Sequence, residues 1–152
     1  MSVRTTRLRI YCAGAFSGPD IIAIRSNVRR GLTMAVRVLK AGFAPFAPWL
    51  DEQLSNFAEI SIDEYYAYSL AWLECADAML VVPVGAETSK GTQAELKFAE
   101  ELGIPIFWSL RELQDWAQQQ QPAWRESSLP PGDAPAEMHG GLPVRSRHSG
   151  GQ

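Results

Sequence analysis

The residues best suited to chemistry in this 152-residue sequence are carboxylates and hydroxyls, and both occur in Ser89-Lys90-Gly91-Thr92-Gln93-Ala94-Glu95. The stretch follows the apolar run Ala78 to Val84, so a loop, a helix start and a carboxylate come directly after a strand of the buried, parallel type. At helical spacing Glu95 shares a stripe with Phe98, Ala99 and Leu102, while Lys97, Glu100 and Glu101 fall on the other side. An inward carboxylate suits nucleophilic or acid–base work. Thr92 to Glu95 also has the T-x-x-E form of a capping box, in which the glutamate only accepts a backbone N–H. Both readings stand at this level. Metal and histidine chemistry have no place in the ordered part, because the two histidines, His139 and His148, lie in a polar tail. No metal or cofactor is expected.

The elements that position these groups read as alternating strands and helices. Leu8 to Ala13 is a first strand, and Gly14-Ala15-Phe16-Ser17-Gly18-Pro19-Asp20 is the turn after it, a strand–loop–helix entry able to offer backbone N–H groups to an anion. A helix over 25–41 places Val28, Leu32, Ala35, Val36 and Leu39 on one stripe and ends at Gly42. Its basic residues read as a solvated face. A second strand, Phe43 to Ala47, is pushed to a sheet edge by Pro45 and Pro48. The exit from it carries Trp49, which either stacks on a base or covers the core. A third helix opens on the capping box Ser61 to Glu64 and runs to Cys75, its inward stripe being Ile62, Tyr66, Ser69, Leu73 and Ala76. The Glu95 helix (92–102, closed by Gly103), a strand at Ile104 to Trp108 and a helix over 109–119 complete the pattern.

The expected fold class is therefore α/β: a doubly wound parallel sheet of the flavodoxin or Rossmann kind, with four to five strands and one domain over 1–121. Ligands of such a sheet bind at the carboxyl ends of the strands, where the loops after strands one and three face each other. From Pro122 to Gln152 lie 5 of the 10 prolines and 5 of the 12 glycines, which marks this segment as a disordered tail in which Trp124 and Leu129 are the residues able to dock.

Composition narrows the function. A net charge of −3 supplies no basic excess for a nucleic-acid polymer, and no apolar run is long enough to span a membrane or serve as a signal peptide. The two cysteines, Cys12 and Cys75, show no metal or redox spacing and fit a cytoplasmic protein.

Taken in order, Ile10-Tyr11-Cys12-Ala13-Gly14, Ala71-Trp72-Leu73-Glu74-Cys75-Ala76-Asp77-Ala78, Ser89-x-Gly91-x-x-x-Glu95 and Gly103-Ile104-Pro105-Ile106 resemble the nucleoside 2-deoxyribosyltransferase superfamily, from about Arg9 to Trp108. That superfamily includes the transferases and the 2'-deoxynucleoside 5'-monophosphate N-glycosidases. The resemblance implies that Glu95 is the nucleophile at C1' of the sugar, reached through an oxocarbenium-like transition state. It implies a site formed by Tyr11, Gly14, Ala15, Phe16, Ser17, Gly18, Trp49, Ser89 and Gly91, with a nucleoside monophosphate or nucleoside as ligand. Ser89 occupies a position that is acidic in the transferases and a phosphate-holding serine in the N-glycosidases, which favours a 5'-phosphate. A homodimer or higher homo-oligomer is also implied, because the superfamily often completes its pocket from a neighbouring subunit; Tyr65, Tyr68 and Trp72 are the candidate surface.

One departure matters. Eight residues before Asp77, where the superfamily places an aspartate that helps the base depart, this sequence has Ser69, expected as a second catalytic residue of altered capacity. Three accounts follow: another acid such as Asp51, Asp63 or Glu64 reaches the site; the leaving group needs no proton, as in a nicotinamide nucleotide; or the chain binds nucleotides with weakened or no catalysis. The phosphoribohydrolases that cut cytokinin-type nucleotides share the G-T-x-x-E look of Gly91 to Glu95, but Val84 to Lys90 poorly matches the glycine-rich, basic lead-in they carry.

Overall fold

The computed structural model describes residues 7–125, with side chains to 120. Nine elements follow in order: β1 (Arg9–Ala13), α1 (Ile21–Lys40), β2 (Ala44–Phe46), a 3-10 helix (Pro48–Asn56), α2 (Ile62–Glu74), β3 (Ala78–Val81), α3 (Lys90–Glu101), β4 (Ile106–Phe107) and α4 (Leu110–Arg125). The four strands form one all-parallel sheet in the order β2-β1-β3-β4. Chain order reverses at β1, whose neighbours are β2 and β3, so the loops leaving β1 and β3 lie side by side as the α/β pattern requires.

Side-chain alternation along the central strands divides the core in two. Ile10 and Cys12 of β1, with Ala78 and Leu80 of β3, pack against Ala35 and Val38 of α1 and Leu113 and Ala117 of α4. Tyr11 and Ala13, with Met79 and Val81, face the other way, against Leu73 of α2 and Ala99 of α3. Helices therefore cover both faces, and residues 10–13 and 78–81 are all buried, the mark of a strand with no solvent side.

Several boundaries differ from the sequence reading. α1 begins at Ile21, not Arg25, because Asp20 caps it by accepting from the Ala23 N–H at 2.8 Å. Ile21 and Ile22 then start the helix while exposed, which is why they break the apolar stripe. The buried line of α1 is Asn27, Gly31, Ala35 and Val38, and Val36 and Leu39 point to solvent. β3 stops at Val81, before Pro83 and the positive-φ Gly85 turn the chain away. In α2 the Ser61/Glu64 capping box is present, but the first turn does not reach the sheet: Ile62 and Tyr66 are exposed, and Ser69, Leu70, Leu73 and Ala76 form the inward side. β4 shrinks to two residues after Pro105. α4 continues to Arg125, past the expected domain limit at 121. The docking proposed for the Trp124 side chain and Leu129, and the tail from 126 onward, lie outside the described residues. Among those described, no helix is long and apolar enough to cross a membrane.

The 3-10 helix after β2 drives Trp49 against α1. The indole is 3% exposed, and a Cβ added at Gly31 would stand 2.2 Å from its ring atoms. Alanine in place of a helical glycine ordinarily gains about 0.5–1 kcal/mol, but overpacking a filled core costs about 1–3 kcal/mol or more. Overpacking wins here. Gly31→Ala should lower the melting temperature by several degrees in thermal denaturation, the reverse of the propensity effect; an unchanged or raised melting temperature would show that the indole moves aside freely.

Candidate functional site

Tyr11, at the centre of the sheet, is 0% exposed, and a buried phenol needs a hydrogen-bond partner. Its partner is Glu95: the phenol donates to Glu95 Oε1 at 2.7 Å. This decides between the two readings of Thr92 to Glu95. The cap of α3 is Ser89, whose Oγ accepts from the Thr92 N–H at 3.3 Å and from Thr92 Oγ1 at 2.9 Å. Glu95 lies farther along the helix and caps nothing. The residue as a whole is partly buried, yet its carboxylate sits in the interior, and this desolvation pushes it up to about 7 against the opposing pull of the Tyr11 hydroxyl. Burial, with Glu95 as the nearest charge, pushes the Tyr11 phenol well above its ordinary range, so it stays a donor.

Ser69 of α2 lies behind this pair. It is close enough to the Tyr11 oxygen that its hydroxyl opposes the upward push on the phenol. Of the three acids considered as substitutes for an aspartate at position 69, one approaches the site. Glu64 is exposed and committed to the Ser61 capping box, and Asp63 is exposed beside it. Asp51, on the 3-10 helix, is partly buried; Oδ1 accepts from the Tyr68 hydroxyl at 3.4 Å, and its charge acts on Tyr11.

The loop after β1 is fixed by its carbonyls. Trp49 Nε1 donates to the Ala15 oxygen at 3.1 Å, and buried Asn27 donates through Nδ2 to the oxygens of Phe16 and Ser17 at 3.3 and 2.9 Å. None of these peptides is cis, and a trans peptide sets its N–H opposite its C=O. The N–H groups of Phe16, Ser17 and Gly18 therefore point away from Trp49 and Asn27. This loop meets the one after β3 where Gly85, at φ +81°, leaves room for Ala15: a Cβ there would come within 3.0 Å of the Ala15 methyl. Gly91, in the first turn of α3, lies under the Tyr66 ring, 3.3 Å from where a Cβ would stand.

The structure thus brings Tyr11, Ser69 and Glu95 together and places Gly14 to Gly18 beside the β3 loop that leads to Ser89 and Gly91. Trp49 is corrected: its ring fills the space over Gly31 and supports the loop through Ala15, leaving no face for a base. Sequence reasoning missed two residues. Asn27 was hidden because a polar side chain in a helix reads as surface, although its spacing with Gly31, Ala35 and Val38 marks a buried line. Phe46 is paired with Tyr11 in the sheet register and stacks on it at 5.4 Å and on Trp72 at 5.3 Å, making an aromatic wall that Tyr68 joins. Period-two reading of β2 against β1 could have found it.

On the opposite face of the sheet, an open groove of about 770 Å³ runs along α1, lined by Ile24, Val28, Leu32 and Val36 with flanking Arg25 and Arg29. Its sole carboxylate is Glu52, so it has no counterpart to the Tyr11–Glu95 pair. Among the described residues no group of three His, Cys, Asp or Glu could hold a metal ion. No protein-family model matches the chain, and no curated protein matches it.

The raised carboxyl of Glu95 has a thermodynamic sign. Its folded-state value near 7 exceeds the ordinary 4.5, so the folded chain holds this proton more tightly, and the stabilisation, full below pH 4.5, is lost as pH rises through 7. Glu95→Gln keeps an acceptor for Tyr11 and removes the desolvated charge. It should raise stability at pH 8 by on the order of 1–3 kcal/mol and change little at pH 4, read as chemical denaturation midpoints at the two pH values. Destabilisation at pH 8 would show that the ionised carboxylate is structurally required.

Proposed function

We propose that this chain cleaves the N-glycosidic bond of a nucleoside 5'-monophosphate, by hydrolysis or deoxyribosyl transfer, with Glu95 as the nucleophile. The observation that carries the reading is the Tyr11–Glu95 hydrogen bond: a buried carboxylate held in one orientation by a buried donor from the middle of β1. Tyr11 occupies one lone pair of Oε1 and fixes the side chain, leaving Glu95 to attack C1' as the bond to the base breaks. The glycosyl ester that forms is then opened by water, giving hydrolysis, or by a second base, giving transfer. The likeness of the Tyr11, Ser89 to Glu95 and Gly103 to Ile106 stretches to the nucleoside 2-deoxyribosyltransferase superfamily supports the same assignment.

The 5'-phosphate is supported by the loop from Gly14 to Gly18. Three adjacent N–H groups directed away from the anchoring side chains, with the N-terminus of α3 behind Ser89, suit an anion without a lysine or arginine. Ser89 still has its own O–H to donate, since its oxygen serves the cap only as an acceptor. We place the chain in the cytoplasm, where free Cys12 and Cys75 stay reduced, and read exposed Tyr68 and Trp72 as the surface by which copies of it associate.

The test is base release, followed by chromatography, across ribo- and deoxyribonucleoside 5'-monophosphates, their unphosphorylated forms and nicotinamide mononucleotide. Release should require the 5'-phosphate and fall by at least about 10³-fold in Glu95→Gln. The rate should rise with pH through about 7 as Glu95 ionises. Tyr11→Phe removes a hydrogen bond that favours the carboxylate and should move this limb upward by about 1–2 pH units. Full activity of Glu95→Gln on every cleaved nucleotide would refute the assignment. Silence across the panel with thermal stabilisation by a monophosphate would leave a nucleotide-binding module, and release confined to nicotinamide would point to a leaving group that needs no proton.

A further inference from the structure

A base leaving a deoxyribose carries away an electron pair and needs a proton, yet the hydroxyl of Ser69 is not acidic enough to provide one. On the proposed reading of the site, that proton needs another source. Among the described residues one carboxylate oxygen is buried without a hydrogen-bond partner, and it is Oδ2 of Asp51. Buried acceptors are rarely left unpaired, and a carboxylate oxygen in that state is relieved by taking up a proton.

We propose that Asp51 is the general acid of this site, standing in for the aspartate that Ser69 replaces. The 3-10 helix that carries it follows β2, and Glu95 lies on the helix that follows β3; β1, with Tyr11, runs between these two strands. Glu95 bonds Tyr11 directly, and Asp51 bonds Tyr68, whose ring packs on Phe46, the residue stacked on Tyr11. Asp51 is held from α2 by two tyrosines: the Tyr68 hydroxyl donates to Oδ1, and the Tyr65 hydroxyl donates to the backbone oxygen, each at 3.4 Å. With Oδ1 taken, Oδ2 is the oxygen that carries the proton.

The step balances. As Glu95 forms its bond to C1', the C1'–N bond breaks, its electron pair goes to the base, and the base takes the proton of Asp51 Oδ2. The Asp51 carboxylate then removes a proton from water, whose oxygen attacks C1' as the bond to Glu95 breaks, and both side chains return to their starting states. The ionisable groups facing Asp51 are Tyr65 and Tyr68 of α2 and Tyr11 of β1, with Glu95 of α3 beyond; neither ion pair among the described residues involves it. Burial raises its carboxyl, and Tyr68 opposes the shift.

The test compares two leaving groups on one sugar: a natural base in a deoxynucleoside 5'-monophosphate, and 4-nitrophenolate in the corresponding 2-deoxyribosyl 5-phosphate, which departs without a proton. Asp51→Asn should slow release of the base by about 10²- to 10⁴-fold and leave the first turnover of nitrophenolate, read as a burst, within a few-fold, with later turnovers slowed because Asp51 also activates the water that opens the glycosyl ester. Glu95→Gln should stop both reactions. Equal slowing of the first turnover of both leaving groups by Asp51→Asn would overturn the role of Asp51 alone, as would a base-release rate unchanged in that variant. No release of either group by the unsubstituted chain would overturn the glycosidase reading and this inference with it.

Discussion

A phenol with no exposure, placed on the middle strand of a parallel sheet, cannot reach water and must find its acceptor inside the protein. Tyr11 meets that demand with a carboxylate, which sets the cost and the character of the whole face. Glu95 must be drawn in from α3, and the loop between β3 and α3 must let Ser89 cap the helix. Both demands serve one buried oxygen. The opposite face, made by Ile10, Cys12 and Leu80 against α1 and α4, is apolar packing whose buried donors, the Trp49 indole and the Asn27 amide, are met by loop carbonyls and not by a carboxylate.

The sheet could be read from the sequence because runs such as Ile10 to Ala13 and Ala78 to Val82 are apolar on both faces, a pattern that demands cover on two sides. Glu95 was legible because it begins a stripe that runs through partly buried Phe98 to buried Ala99, although Leu102 at the end of that stripe is exposed. What could not be read was anything that depends on the third dimension at a distance. A capping box and an inward carboxylate look alike in one dimension, and only the position of Ser89 relative to Tyr11 separates them. The inner line of α1 was misread because it runs through Asn27 and Gly31, a polar residue and a residue without a side chain, whose burial is dictated by an indole and by loop carbonyls elsewhere in the chain.

The 3-10 helix after β2 shows how one unpredicted element serves both faces. Pro48 at its start suits a tight helical turn and is neutral to almost everything else the sequence says. Yet this turn sends Trp49 to the α1 side and Asp51 to the Tyr11 side within three residues. The fit of Trp49 over Gly31 and the position of Asp51 beside Tyr68 are therefore mechanically linked: a shift of the indole moves the backbone that carries the carboxylate.

The loop from Gly14 to Gly18 has its carbonyls fastened by Trp49 and Asn27 before any ligand arrives. A flexible glycine loop would have to surrender conformational entropy on meeting an anion, at about 1–2 kcal/mol for each backbone residue ordered. Here that ordering is completed during folding. An anion reaching this loop would meet amides already in position, and its association would then be set by diffusion and desolvation and not by a slower closing of the chain.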